Sequence, residues 1–271
     1  MAIQILLLII GLMLLVVGSN YLLKSAVDLS LKLKLSKVVI GLTVVSFATS
    51  APELLISISS ALKGSADIAI SNVIGSNIAN LGLVLGTALC FTKIKIPKSN
   101  MKFDWTFLMI ISFLFFYFIN DLSVSRSEGI LLFLALILFL VFIIKIRDDA
   151  DVEEIKISTS SNYKILILIL VSSTLLYYGS ELFVNSSIYF AEYFGVSERV
   201  IGLTLVAIGT SLPELVTTLV AIYKSELDIS IGNIIGSNIF NILAVIGLTS
   251  IVTDLNILSE RILSFDIYVM I

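Results

Sequence analysis

The 271-residue chain has no histidine, one cysteine, three prolines and one tryptophan, and only 14% of its residues are charged. Each scarcity removes a class of chemistry. Without histidine there is no imidazole general base, no histidine-ligated haem and no His-containing zinc site. Cys90 alone can form neither an internal disulfide nor a multi-cysteine metal centre. Set in an apolar stretch, it reads as a small core hydrophobe. A net charge of −3 offers none of the basic surface that nucleic acid requires, so no nucleic-acid partner is expected. Soluble domains usually carry about 25% charged residues, and this chain falls far below that.

Hydrocarbon takes the place of charge. The composition is 58% hydrophobic and the mean hydropathy is +1.10. Apolar residues come in runs of about 20, the length that crosses a bilayer core of roughly 30 Å. The runs cover 3–23, 38–62, 67–91, 104–120, 128–145, 164–188, 199–223 and 228–250, and a ninth begins near Leu263. Met1 to Val17 has no basic residue before its apolar run and no small-x-small cleavage site, so it reads as the first span. The expected fold is an all-α polytopic membrane protein whose surroundings are the lipid bilayer.

If the spans alternate sides, one face collects Lys24, Lys32, Lys34, Lys37, Lys93, Lys95, Lys98, Lys102, Lys145, Arg147, Lys156, Lys164 and Lys224. The other collects only Lys63, Arg126, Arg199 and Arg261, thirteen against four. The positive-inside rule makes the first face cytoplasmic and the N-terminus external, in a plasma membrane. The polar stretch Arg147 to Tyr163, with Asp148, Asp149, Asp151, Glu153 and Glu154, lacks EF-hand spacing and reads as a solvated linker.

The chain repeats itself. Gly41 to Gly82 reads GLTVVSFATSAPELLISISSALKGSADIAISNVIGSNIANLG, and Gly202 to Leu243 reads GLTLVAIGTSLPELVTTLVAIYKSELDISIGNIIGSNIFNIL. At an offset of 161, 20 of these 42 positions are identical. The offset also pairs Gly18-Ser19 with Gly179-Ser180, and Asp104 pairs with Asp266 one residue further out. Five spans fill the first unit, and an odd number of crossings makes the second start from the opposite side. Two inverted repeats are therefore expected: 1–146, then a linker at 147–163, then 164–271. Matching the first unit would take roughly 40 further residues in the second, which reads as truncated. Inverted repeats are a transporter signature.

Two of the three prolines, Pro52 and Pro213, occupy equivalent positions, each before a glutamate, Glu53 and Glu214. A proline inside a helix releases the carbonyl four residues back, here near Ala48 and Gly209, and cation coordination would satisfy it. An ionised group at this depth costs about 2.5–3.5 kcal/mol on insertion scales. No Lys or Arg lies at comparable depth in any span, so the compensating charge is expected to be a cation. Thr49 and Ser50 share a helix face with Glu53, and Thr210 and Ser211 do so with Glu214. Asn72, Ser76 and Asn80 form an i, i+4, i+8 stripe that Asn233, Ser237 and Asn241 copy. Ser76, Asn80, Ser237 and Asn241 match the glutamates in depth. Asn72 and Asn233 serve equally well as interhelical glue, with Gly75 and Gly236 allowing close approach. An all-oxygen inventory suits Ca²⁺ and Na⁺ alike. Two carboxylates balance one Ca²⁺ or two monovalent ions, which is a physical basis for exchange.

These residues resemble the calcium/cation antiporter superfamily, in its sodium/calcium exchanger branch of prokaryotic type. The match lies in GTSxPE in the second copy, ATSAPE in the first and GSNIxN in both. The resemblance implies ten helices, alternating access and four clustered cation sites, with the first helices of the inverted pair sliding past a rigid core. By motif position, calcium would be held by Thr49, Glu53, Thr210 and Glu214. Sodium would use Ser50, Ser76, Ser211 and Ser237 with the backbone carbonyls of Ser46 and Ala207, and Asn80 and Asn241 would complete the central site. Many microbial relatives carry aspartate where this chain has Asn241, so the centre here is less acidic. Ala48 stands where the motif has glycine, which stiffens that bend. The expected activity is secondary antiport of Ca²⁺ against Na⁺, with Ca²⁺/H⁺ or K⁺-linked exchange as the alternative. No resident cofactor is expected. An intramembrane enzyme lacks a nucleophile–base pair here, and a channel does not call for inverted discontinuous helices.

Overall fold

The structure, a computed structural model, describes residues 1–92, 98–146, 161–196 and 207–271. The acidic stretch, most of the expected linker and the start of the second repeated segment lie outside the described residues. The first unit contains α1 (Ala2–Leu33), α2 (Lys37–Thr49), α3 (Ala51–Leu62), α4 (Ala66–Phe91), α5 (Lys98–Phe118) and α6 (Arg126–Ile146). The second contains α7 (Asn162–Tyr193), α8 (Ala207–Gly209), α9 (Leu212–Tyr223), α10 (Leu227–Val252) and α11, a π-turn at Ile262–Asp266 continuing as Ile267–Met270. Seven of the eight expected full spans are found, together with the start of the ninth, and of 199–223 only the second part lies among the described residues.

α1 and α7 each run for 32 residues, roughly 48 Å, well beyond the hydrocarbon core. Hydropathy ends α1 ten residues too early, because helix formation continues until a breaker intervenes. Lys34, left-handed at φ 57°, is that breaker, and its N–H closes onto the Ser30 carbonyl. Ser36 then caps α2, accepting the Val39 N–H at 3.3 Å. α2 and α3 form one span bent by 44° at Ser50. Pro52 sits in the first turn of α3, where its missing N–H costs no hydrogen bond.

Side-chain contacts fix the relative directions. Gly11 abuts Phe183 and Gly179, whereas Gly18 abuts Leu175 and Ser172, so α1 and α7 are antiparallel. Gly41 meets Gly232, and Leu42 and Ser46 meet Gly236, so α2 and α10 are parallel. α4 returns antiparallel to α2–α3 and is therefore antiparallel to α10, its own repeat mate. The units are inverted. α5 and α6 complete the first unit, and their loop pairs with the α10–α11 loop as a two-residue antiparallel ribbon, β1 (Ser123–Val124) with β2 (Leu255–Asn256).

Contacts at the helix ends show which lysines share a face. Lys37 pairs with Glu226 at 2.9 Å on one side. On the other, Arg126 N–H donates to Asp254, and the Leu258 N–H donates to Asp67. These contacts agree with the alternation used to sort the charges at Lys37 and Arg126.

α10 is the central helix, with 89% of its apolar stretch buried against 39% for α4. Small residues let backbones touch there, since lipid supplies no hydrophobic drive between helices. A Cβ on Gly232 would lie 2.5 Å from the Val38 carbonyl and 2.8 Å from the Leu42 nitrogen. Gly236 fits the expected close approach, but among the described residues nothing lies within 4 Å of a Cβ at Gly75. Cys90, expected in the core, is exposed on α4, because a lipid-facing surface is as apolar as an interior one.

Candidate ion-binding site

The polar side chains expected in the middle of the bundle converge there. Ser46, Thr49, Glu53, Ser76, Asn80, Glu214, Ser237 and Asn241 are fully buried, Ser50 and Ser211 nearly so, and Thr210 is half-buried. Ala207 opens α8, one turn before Ser211.

Hydrogen bonds between the units follow the approximate two-fold axis that the 161-residue offset implies. Thr49 Oγ1 lies 3.3 Å from Ser237 Oγ, and its mate pair, Thr210 Oγ1 and Ser76 Oγ, lies 3.1 Å apart. Asn80 Nδ2 donates to Asn238 Oδ1 at 3.5 Å, and Asn241 Nδ2 donates to Asn77 Oδ1 at 3.0 Å. α4 and α10 thus cross antiparallel at these four amides. Asn77 and Asn238 were not singled out by helical periodicity, since they fall one position off the stripe. The duplicated GSN triplet was the available signal.

The register between parallel helices places the acids. α10 runs parallel to α2–α3, and Thr49 meets Ser237, so one turn on Asn241 stands level with Glu53. By the same reasoning from Thr210 and Ser76, Asn80 stands level with Glu214. Ser50, on the Glu53 helix, donates to Glu214 Oε1 at 3.2 Å.

Most of the unpartnered buried atoms of this cluster are oxygens, with Asn233 Nδ2 the unpartnered nitrogen among them. Glu53 Oε1 and Oε2, Glu214 Oε2, Asn80 Oδ1, Asn241 Oδ1 and Ser211 Oγ are buried with no hydrogen-bond partner. An unsatisfied buried polar atom ordinarily costs about 1–3 kcal/mol, more when charged. Among the described residues no Lys or Arg is buried, so no protein cation answers the two acids. Hard oxygens in this number fit an alkali or alkaline-earth cation, which takes about 6–8 for Ca²⁺.

The expected backbone ligands are more engaged than the sequence suggested. The carbonyl freed by Pro213, that of Gly209, accepts the Ser180 hydroxyl at 2.6 Å. The Ser46 carbonyl accepts the Ser50 N–H at 2.9 Å and the Thr49 hydroxyl at 3.3 Å. Gly209 itself is glycine because a Cβ there would lie 2.6 Å from Val184 Cγ2. Ala48, its mate, is buried in the core. Asn72 donates to the Glu53 carbonyl at 3.3 Å and to Ser57 at 3.1 Å, and Asn233 Oδ1 accepts from Thr49 at 3.1 Å. Both asparagines tie helices together around the acids.

Residues 3–145 and 164–271 match the family model described as sodium/calcium exchanger protein. The sodium/calcium exchanger MaX1 of Methanosarcina acetivorans is 36% identical, over 98% of this chain and 87% of its own length. The inner membrane protein YrbG of Escherichia coli is 33% identical, over 91% and 79%. Among solved structures, the sodium-calcium exchanger NCX_Mj soaked with 10 mM Na⁺ and 10 mM Sr²⁺ superposes with a TM-score of 0.82 at 30% identity, over 98% of this chain and 88% of that one.

Proposed function

We propose that this chain, which belongs to the sodium/calcium exchanger family, couples the movement of Ca²⁺ in one direction to that of Na⁺ in the other. It is a multi-pass membrane protein and an antiporter of cations that include Ca²⁺, and it is not an enzyme. Sodium as the driving ion, the plasma membrane as its location and an external N-terminus are our reading. The charge asymmetry of the helix ends supports the last of these.

The observation that carries the reading is the set of six orphaned oxygens around Glu53 and Glu214. Ca²⁺ is the substrate that would take both carboxylates, with Thr49 and Thr210 flanking them. Ser50, Ser76, Ser211 and Ser237, with the carbonyls of Ser46 and Ala207, would serve Na⁺. Asn80 and Asn241 would contribute their free oxygens to the centre. Two carboxylates neutralise one Ca²⁺ or two Na⁺, but not both sets together, and that mutual exclusion is what couples the fluxes. The units 1–146 and 164–271, joined by 147–163, would exchange conformations about this midplane site.

Calcium uptake into proteoliposomes, with sodium, potassium and proton gradients imposed in turn, tests the coupling. Uptake driven by an outward sodium gradient is expected. Uptake that follows only pH or potassium would transfer the chain to the alternative exchanger classes. Glu53→Gln and Glu214→Gln should each abolish calcium flux in a folded protein, and wild-type flux in either would remove the site.

A further inference from the structure

Asn72 and Asn233 stand at equivalent positions of the two units, 161 residues apart, and they bond in opposite ways. Asn72 stays within its own hairpin. Its Nδ2 donates to the Glu53 carbonyl at 3.3 Å and to Ser57 Oγ at 3.1 Å, and Ser57 Oγ donates to the Ala69 carbonyl at 3.3 Å. Asn233 reaches into the other unit, where its Oδ1 accepts the Thr49 hydroxyl at 3.1 Å. The Thr210 hydroxyl, mate of Thr49, lies 3.1 Å from Ser76 and makes no bond to Asn72 among the described residues.

The second hairpin holds the parts of the same clasp, unassembled. Asn233 Nδ2 has no partner, and neither has Thr218 Oγ1, which stands where the first unit has Ser57. Both residues are fully buried, where water cannot meet their hydrogen-bonding needs. The two sides of the site differ accordingly. Thr49 and Asn233, on the Lys37 side of the acids, are bonded to each other and fully buried. Thr210 and Asn72, on the Arg126 side, are apart and half-buried.

We propose that Asn72 and Asn233 are alternating latches on the ion site, positioning residues that each hold the threonine of the opposite unit in one state and fold back onto their own hairpin in the other. In the present state Asn233 holds Thr49 and Asn72 is withdrawn. In the opposite state Asn72 Oδ1 accepts from Thr210, Asn233 Nδ2 donates to the Glu214 carbonyl and to Thr218 Oγ1, and Thr218 donates to the Ser230 carbonyl. One set of hydrogen bonds is traded for its mate, which keeps the two states close in energy. The inference rests on the antiport reading of the site and on exchange of conformations between the units, but not on which ions are carried.

Thr218 gains a partner only in the opposite state, so Thr218→Val, which keeps the shape, should disfavour that state alone. Ser57→Ala removes the Asn72 clasp and should disfavour the present state alone. Hydrogen–deuterium exchange of the full chain in detergent, in choline buffer with chelator, reads the balance at 46–53. That bend carries Thr49, buried here and half-buried in the opposite state as Thr210 is now. One hydrogen bond moves an equilibrium about fivefold. Exchange at 46–53 should therefore slow about fivefold in Thr218→Val and quicken about fivefold in Ser57→Ala, while Thr218→Ser, which keeps the hydroxyl, should match the wild type. A merely structural Thr218 would alter exchange within 212–223 and leave 46–53 unchanged. That result, faster exchange at 46–53 in Thr218→Val, the same slowing in Thr218→Ser, or no quickening in Ser57→Ala would overturn the proposal. No transported ion is present in this measurement, so its failure is distinct from a failure of sodium coupling, which the proteoliposome fluxes test.

Discussion

Replacing Glu53 by glutamine should make the ion-free protein more stable while removing its response to calcium. Both Glu53 carboxylate oxygens are fully buried without a donor, and the unpartnered atoms of Glu214, Asn80 and Asn241 are acceptors too, with Ser211 Oγ and Asn233 Nδ2 as the free groups able to donate. The glutamine amide has the same shape, no charge and two N–H donors, and the Asn241 oxygen stands level with it. Relieving an unsatisfied buried acceptor is worth about 1–3 kcal/mol. At about 2–4 °C per kcal/mol, the melting temperature in chelator should rise by several degrees.

Calcium should act in the opposite sense. A ligand at a hundred times its Kd stabilises the wild type by about 2.7 kcal/mol. A unit charge pair about 4 Å apart is worth about 4 kcal/mol at an effective dielectric constant of 20, and the divalent ion doubles this before desolvation offsets part of it. A net loss of about 3–4 kcal/mol lowers calcium affinity roughly 10²–10³-fold, enough to erase the thermal shift at that concentration. Thermal unfolding of the detergent-solubilised protein, in chelator and in calcium, gives both numbers. A variant that melts lower than wild type in chelator, or that keeps the calcium shift, refutes this reading of the site.

Gly232→Ala should lower stability by at least about 1–3 kcal/mol, as overpacking does, because its Cβ meets the backbone of α2 at 2.5 Å and 2.8 Å; thermal unfolding in detergent reads this. Ser180→Ala leaves the Gly209 carbonyl without its hydroxyl donor, and should cost about 1–3 kcal/mol and slow transport by loosening the second bend. The α3–α4 and α9–α10 turns use equivalent left-handed residues, Gly64 at φ 80° and Ser225 at φ 61°. Ser225→Gly should therefore stabilise by up to about 1 kcal/mol and Gly64→Ser destabilise by a similar amount, opposite shifts from one pair of positions.

The helices, their inversion and the pairing of the two acids were legible in the sequence because a bilayer leaves little choice. Backbone groups must be satisfied within each span, so apolar length counts helices, and an odd number per unit inverts the second. Fine placement was harder. α1 outruns its apolar run by ten residues because helix ends are set by caps such as Lys34 and Ser36, not by hydropathy. Pro213 signals a freed carbonyl, but nothing local reveals that Ser180, 29 residues earlier, answers it. Asn77 and Asn238 lie off the polar stripe and gain their role only where two helices cross. Exposed Cys90 shows the remaining limit, since an apolar setting does not distinguish core from lipid.

The places where the two-fold relation fails say more than those where it holds. Thr49 with Ser237 and Thr210 with Ser76 obey it, as do the two asparagine pairs. Yet Ser50 donates to Glu214 while its mate, Ser211, has no partner and Glu53 accepts from no side chain. Residues of identical type at equivalent positions differ in bonding where the two halves hold different conformations or are packed by different neighbours, and the first of these can be tested. In an inverted-repeat transporter the opposite-facing state arises when the halves exchange conformations, so there Ser211 should donate to Glu53 and Ser50 should be released. Ser50→Ala then weakens the present state and Ser211→Ala the other. Hydrogen–deuterium exchange at the two bends, 46–53 and 207–214, should respond with opposite signs in the two variants. Changes of the same sign would tie the asymmetry to local packing and break its link with alternating access.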